Sequence, residues 1–247
     1  MRCLYPLTVR PKGYLRSLPV PCGQCANCKI NSVNQWVFRC KEERKRAVSS
    51  KFITLTYDRK HLPRTANNLP TLRKEHVQEF VKKLRYEQSK TIEIPIKYIF
   101  VGEYGGLTNR PHYHAIIFNV ISKEYIDAAW GRGYTDVDSV NSSTIAYTLK
   151  YIDKPRPGYR HSRDDRVQQF QLQSQGIGKG YLTKQQIEYH RTNPCRSYTM
   201  DFEGNRVPLS RYYAKKIFDT QAKKDIRHDK ITESLKRLRD KQIAWFH

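Results

Sequence analysis

The sequence contains no run of about 18 apolar residues, the length a helix needs to cross a membrane. Its first residues, MRCLYPLTVRPKGYL, lack the apolar core of a secretory signal peptide. Acidic residues are scarce, since 23 Asp and Glu stand against 46 Lys and Arg, and the formal net charge is +23. These features predict an intracellular protein without a membrane span, and nucleic acid is the first candidate for its polyanionic partner.

Motifs for nucleotide hydrolysis are also missing. GIGKG (176–180) does not have the GxxxxGK[ST] spacing of a phosphate-binding loop, and no internal repeat is visible. Aromatic residues, by contrast, are plentiful for so basic a chain, with 17 Tyr and 9 Phe. Most of these rings belong in a core, but rings set among cations also suit stacking on the unpaired bases of a single strand.

Cysteines are few and clustered. Three of the six, Cys22, Cys25 and Cys28, lie in CGQCANC. In a lysine-rich chain without a signal peptide this spacing favours free thiols or metal ligation over disulfides. Cys3 is our candidate for the fourth ligand of a structural zinc site, with Cys40 and Cys195 as alternatives; reduced, buried thiols are the other interpretation.

The hydrophobic pattern predicts an α+β fold. In chain order it indicates a strand, a helix, two strands, a helix, a strand and a helix, which is the split βαβ arrangement of ferredoxin-like and RNA-recognition folds. We therefore expect a central antiparallel sheet with helices on one face. The expected domains are a Cys-rich arm with a basic helix (1–50), the core (51–155), and a basic linker with C-terminal helices (156–247). The predicted core segments are KFITLTY (51–57), TLRKEHVQEFVKKLRYEQ (71–88), IKYIFVGEY (96–104), HYHAIIFNV (112–120), SKEYIDAAW (122–130), GYTDVDSV (133–140) and SSTIAYTLKYIDK (142–154).

Two histidines head one of the predicted strands. Residues i and i+2 of a strand face the same way, so His112 and His114 present their imidazoles on one side. Glu103 ends the preceding strand, and hairpin pairing would place its carboxylate beside them. Two nitrogens and one carboxylate make an open site that would accept Mg²⁺ or Mn²⁺ and leave positions free for a phosphate oxygen. Each residue alone is better explained as an ordinary surface or core side chain.

The helix after the last core strand carries phenols and cations. Tyr147 and Tyr151 are four apart and so share a helical face, and Lys150 and Lys154 each follow a tyrosine by three residues. A phenol is a poor nucleophile at neutral pH, but neighbouring cations and a metal-bound phosphate favour the phenolate. Seen alone, the pattern would indicate an amphipathic helix packed on the sheet.

Together, FITLTY, GEYGGLTNRPHYHAIIF and YTLKYIDK resemble the three motifs of rolling-circle replication initiators, the His-hydrophobe-His (HUH) endonucleases, in their two-tyrosine branch. CGQCANC, NQWVFRC and VPLSRYYAKKIF are similar to segments of the replication initiation proteins of Microviridae bacteriophages of the gokushovirus type. The resemblance extends over residues 20–218. Tyr113, the middle residue of HYH, is a departure, because an aliphatic residue is commoner there, and we expect it to pack beneath the sheet.

The resemblance implies a metal-dependent nick in single-stranded origin DNA, in the cytoplasm of a bacterial host. His112, His114 and Glu103 would hold the metal, and Tyr147 and Tyr151 would alternate as nucleophiles that join the 5′ phosphate. Lys150 or Lys154 would assist the phosphate. A host helicase and polymerase are the expected partners.

Two other interpretations stay open. One is a transposase or relaxase that uses a single tyrosine. The other is a non-catalytic DNA- or RNA-binding protein built on the same sheet with a zinc-stapled arm.

Overall fold

The structure is a computed structural model that describes residues 3–10, 12–13, 17–150, 161, 163–194, 196–201 and 203–243, except for the side chains at 142, 143, 146, 150, 230 and 238–243. The strands are β1 (Leu7–Val9), β2 (Leu18–Val20), β3 (Ser50–Tyr57), β4 (Lys97–Tyr104), β5 (Pro111–Phe118), β6 (Gly133–Ser139), β7 (Phe170–Gln173), β8 (Tyr198–Met200) and β9 (Arg206–Pro208). The helices are α1 (Ala26–Arg44), α2 (Lys74–Ser89), α3 (Lys123–Trp130), α4 (Ser142–Lys150), α5 (Lys184–Thr192), α6 (Arg211–Ile217) and α7 (Thr220–Ile243).

The chain divides into two compact units, residues 39–179 and residues 1–38 with 180–247. Within the described part of the first unit, five strands form one sheet in the order β6-β3-β5-β4-β7, and each neighbouring pair is antiparallel. The α+β class and the antiparallel central sheet are therefore confirmed.

One face of this sheet carries the main hydrophobic core. Side chains of alternate parity from the central strands pack there against α2 and α3, because successive residues of a strand point to opposite faces. Burial of apolar area at about 25 cal/mol per Å² is the main force that holds these layers together. The largest fully buried side chains of this core are Tyr57, Phe80, Phe100, Tyr113 and Trp130.

Tyr113 packs in this core as expected, with no exposed surface. Its hydroxyl donates to the Arg73 carbonyl (3.0 Å) and accepts from the Arg73 amide (2.9 Å), at the residue that begins α2. The Tyr57 hydroxyl lies 2.8 Å from it, and desolvation raises the pKa of both phenols. The polar end of this unusual residue thus fixes the start of α2 in place of a side-chain cap.

The prediction that helices lie on one face of the sheet is wrong. Glu43, at the end of α1, accepts from Lys97 Nζ (2.7 Å), and Lys97 points to the face opposite the α2–α3 core. The ring of Tyr147 on α4 lies 5.5 Å from that of His114, also on this second face. The reason is visible in β4 and β5, where Ile99 and Ile116 are buried on the second face as well, so the strands are apolar on both sides.

Three further expectations change. The segment 156–180 was expected to be a linker, but its described part contains β7, which covers the free edge of β4. The basic helix predicted from residue 32 begins at Ala26, and the arm before it, expected to be irregular, contains the β1–β2 hairpin. The helix expected over 209–226 is broken at Phe218, whose backbone is extended. The domain limits at 50 and 155 stay predictions.

The second unit combines the β1–β2 and β8–β9 hairpins with most of α1 and with α5, α6 and α7. Its core gathers around Phe38, Val207, Tyr213 and Ile217. In the part of the chain that the structure describes, no helix combines the length and the apolar character that a membrane span requires.

Candidate metal centre and active site

The β4–β5 hairpin brings the predicted acidic and imidazole side chains together. Glu103 pairs directly with His112, and Val101 pairs with His114, so the carboxylate and both imidazoles lie on the second face of the sheet. The turn between the strands is closed by hydrogen bonds between Gly105 and Arg110 (3.0 Å). The hairpin predicted from GGLTNRP therefore sets the register that assembles the site.

The three side chains form a compact cluster. One ligand atom from each of Glu103, His112 and His114 can be chosen so that all lie within 4.8 Å of one another. The Glu103 Oε1 atom is 2.7 Å from His112 Nε2 and 3.4 Å from His114 Nε2. Glu103 is only 4% exposed and His114 8%, so the charged groups are largely shielded from water.

Hydrogen bonds on the far side of each imidazole orient its Nε2 atom toward the carboxylate. His112 Nδ1 donates to the Arg110 carbonyl (3.2 Å), and His114 Nδ1 lies 3.0 Å from Thr54 Oγ1. A carbonyl can only accept, so the Nδ1 atom of His112 carries a proton and the Nε2 lone pair of the neutral ring faces Glu103. Two acceptors 2.7 Å apart repel unless a proton or a cation lies between them.

This donor set fits a divalent cation. Imidazole nitrogens backed by hydrogen bonds, with a carboxylate beside them, are a usual ligand arrangement for a catalytic metal, and three protein ligands leave positions open. Mg²⁺ prefers oxygen ligands, whereas Mn²⁺ accepts mixed nitrogen and oxygen sets. The predicted triad is thus assembled, and the identity of its metal stays a prediction.

Tyr147 lies next to this cluster. Its ring centroid is 5.5 Å from that of His114 and 6.3 Å from that of Phe52, with both contacts edge-on. Phe52 in turn stacks on the His114 ring at 5.6 Å, with an interplanar angle of 14°. The phenol is 45% exposed, so a nucleic acid at the site can reach it.

Several predicted site residues lie outside the described part of the structure. These are Tyr151, Lys154 and, for its side chain, Lys150. Their roles stay predictions from the sequence.

Other residues of the site were not anticipated. Thr54 orients His114, and Phe52 packs between His114 and Tyr147. Tyr134 and Asp136 on β6 pair with Thr56 and Thr54, so they lie on the face of the sheet that carries the cluster. The alternation of KFITLTY would have placed Phe52 and Thr54 on one face, but only the strand order shows that this face carries the histidines.

The cysteines also come together. Cys3, Cys22, Cys25 and Cys28 can place their sulfurs within 4.8 Å of one another. Cys40 is buried in the other unit, and Cys195 lies outside the described residues.

Fold and site define the class of this protein: an α+β chain whose antiparallel sheet carries a candidate metal centre with a phenol beside it. Residues 50–156 match the family model of the replication-associated proteins of the ORF2 type. The predicted relationship to replication-associated proteins of phages is thereby confirmed.

Three relatives extend this result. The chain is 28% identical over 218 residues to Replication-associated protein VP4 of Bdellovibrio phage phiMH2K, a match that covers 81% of this chain and 67% of the relative. It is 26% identical over 250 residues to Replication-associated protein ORF2 of Spiroplasma virus 4, covering 93% and 76%. Replication-associated protein ORF4 of Chlamydia phage 1 is 28% identical over 159 residues, covering 56% and 39%. No solved structure matches significantly.

Proposed function

We propose that this protein initiates rolling-circle replication of a phage genome by nicking and rejoining single-stranded origin DNA through a 5′-phosphotyrosine intermediate. The observation that carries the proposal is the position of Tyr147 beside His114 in the Glu103–His112–His114 cluster. The names of the relatives support a role in replication.

The residues of the site divide the work between holding and attacking. Glu103, His112 and His114 would hold Mg²⁺ or Mn²⁺, which when bound supplies a positive charge that polarises the scissile phosphate. The Tyr147 oxygen attacks the phosphorus, the bond from phosphorus to the 3′ oxygen breaks, and the released strand end takes the proton as a 3′ hydroxyl. Lys150 and Lys154 are the proposed cations that neutralise developing charge on the phosphate.

A covalent intermediate distinguishes this proposal from simple hydrolysis. A nuclease that only degrades DNA activates water and needs no phenol next to its metal. A phosphotyrosine keeps the energy of the broken phosphodiester, so the ends can be rejoined. Tyr151, one helical turn beyond Tyr147, is the proposed second nucleophile, which would accept the next strand before the first link is lost.

The rest of the molecule suits a DNA partner. A formal net charge of +23 gives phosphate affinity that falls steeply with salt and reads little sequence. The free 3′ hydroxyl would serve a host polymerase, and a host helicase would separate the strands inside the bacterial cell.

The test is a covalent adduct assay with labelled single-stranded DNA that contains the phage origin. With Mn²⁺ the intact protein should form an adduct that resists denaturant. His112→Ala and His114→Ala should each reduce the adduct by at least about a hundredfold while DNA binding at fixed salt changes less than about threefold, because phosphate contacts supply most of the affinity.

The tyrosines are tested in the same assay. Tyr147→Phe and Tyr151→Phe should each keep one partial reaction, and the double variant should form no adduct. An adduct that depends on one tyrosine alone would favour a transposase-like or relaxase-like enzyme. DNA binding without any adduct would mean a non-catalytic binding protein and would refute the proposal.

A further inference from the structure

Four thiols from two separate parts of the N-terminal segment converge in the second unit. Cys3 precedes the β1–β2 hairpin and Cys22 follows it, while Cys25 directly precedes α1 and Cys28 lies in its first turn. We propose that these four cysteines bind one Zn²⁺ in a closed tetrahedral site that ties both ends of the hairpin to the start of α1. The proposal is independent of the DNA chemistry proposed above.

The sulfur separations match the edges of a zinc tetrahedron. The Sγ atom of Cys3 lies 3.5 Å from that of Cys22 and 3.7 Å from that of Cys25. A zinc–sulfur bond of ~2.3 Å in a tetrahedral site gives sulfur–sulfur edges of about 3.8 Å. A disulfide would require about 2.05 Å. The thiols are therefore spaced for a shared cation rather than for bonds to one another.

Backbone amides point at the sulfurs as they do around bound zinc. Cys22 Sγ accepts from the amides of Gln24 (3.4 Å) and Cys25 (3.2 Å), the knuckle that a Cys-x-x-Cys turn makes. Cys25 Sγ accepts from the Leu4 amide (3.4 Å), and Cys3 Sγ from the Cys22 amide (3.3 Å). Such donors stabilise thiolates, which are the form that binds metal.

The acidity of the thiols agrees with this geometry. The Leu4 amide lowers the pKa of Cys25 to about 6, and the Gln24 amide lowers the pKa of Cys22. Desolvation raises the pKa of Cys28 to about 12. A cation would offset that desolvation cost, because zinc deprotonates its thiol ligands outright.

The hairpin needs such an anchor. Its strands contain three residues each, and all of β1 is exposed, including Leu7 (55%) and Val9 (44%). An isolated two-stranded hairpin is at best marginally stable in water. Zinc binding would supply folding free energy at its open end, where Leu7 pairs with Val20. The site is thus structural rather than catalytic, since four protein ligands leave no open position.

The first test uses the intact chain, purified under reducing conditions and dialysed against a weak chelator. Metal analysis should find about one zinc per chain, and X-ray absorption should show four sulfurs at ~2.3 Å. Replacement by Co²⁺ should produce the absorption bands of tetrahedral thiolate coordination. Zinc below about a tenth of an equivalent, an iron–sulfur spectrum, or a mass lowered by disulfide formation would each overturn the proposal.

Matched variants locate the site. Cys3→Ser and Cys25→Ser should each lower zinc retention against the chelator at least about tenfold, because each removes one of four ligands. Cys40→Ala is the control, since this buried thiol lies in the other unit, and His114→Ala controls for metal held by the histidine cluster; both should retain the zinc. Loss of zinc in either control, or full retention in Cys3→Ser, would contradict the assignment.

Discussion

The hydroxyl of Thr54 offers a sharp test of how the histidine cluster is positioned. Thr54 Oγ1 lies 3.0 Å from Nδ1 of His114, and the histidine is only 8% exposed. Thr54→Val keeps the shape and the strand preference of the side chain but removes this hydrogen bond. Loss of such a partner behind a metal-bound histidine typically costs 10–100-fold in metal affinity or activity, or about 1.4–2.8 kcal/mol.

The structure indicates the lower end of that range. Phe52 stacks on the His114 ring and would still restrain it after the hydroxyl is gone. We therefore expect the Mn²⁺ concentration that gives half-maximal adduct formation to rise about tenfold, with the maximal rate at saturating Mn²⁺ changed less than about threefold. The assay is adduct formation measured across a Mn²⁺ titration.

Two companions make the result specific. Thr54→Ser should restore the wild-type midpoint, because it restores the hydroxyl. Thr56→Val on the same face is the matched control, since the carbonyl of Thr56, which accepts from Trp130 Nε1 (3.2 Å), is kept. An unchanged midpoint for Thr54→Val, or an equal shift for Thr56→Val, would refute the reasoning.

The remaining predictions concern stability and DNA contact. Tyr113→Phe should lower the free energy of unfolding by about 1–3 kcal/mol in urea melts, because it leaves buried groups of Arg73 unpaired, while adduct formation is kept; no loss would contradict the role given to its hydroxyl. Tyr134→Ala should weaken single-strand binding by about 1–3 kcal/mol if this 73% exposed ring stacks on a base, and an unchanged affinity in a fluorescence titration would exclude that contact. Gly133→Ala should destabilise the sheet by more than about 2 kcal/mol, because its φ is +145° and a Cβ would lie 2.4 Å from the Thr56 carbonyl oxygen; a wild-type melt would contradict this.

The local parts of the site could be predicted from the sequence. His112 and His114 share a face because a strand alternates with period two, and Glu103 joins them because a short loop forces the two strands into a hairpin. These relations depend only on neighbouring residues. The same holds for the buried stripe of α2, which includes Val77, Phe80 and Leu84.

The parts that depend on distant pairing could not be predicted in this way. Thr54 and Phe52 reach the site because β3 pairs with β5, some 60 residues later, and no local signal specifies that partner. The strand β7 was missed because its sequence, FQLQ, lies within a segment rich in Arg, Gln and Gly. Its pairing with β4 satisfies an edge that only the folded sheet creates.

The cysteine site lies between these cases. The spacing of Cys22, Cys25 and Cys28 indicated shared ligation, but three candidates remained for the fourth position. Folding of the hairpin brings Cys3 beside Cys22, across a separation of 19 residues, and so selects it.

The central claim is that Glu103, His112 and His114 hold a divalent cation within reach of Tyr147. Anomalous diffraction from a crystal soaked with Mn²⁺ tests it most directly. We expect one manganese peak bound by the carboxylate and by the Nε2 atoms of both imidazoles, with the Tyr147 hydroxyl facing the open side of the ion. A fully soaked crystal with no peak at this cluster, or a peak from which the phenol is turned away, would contradict the account.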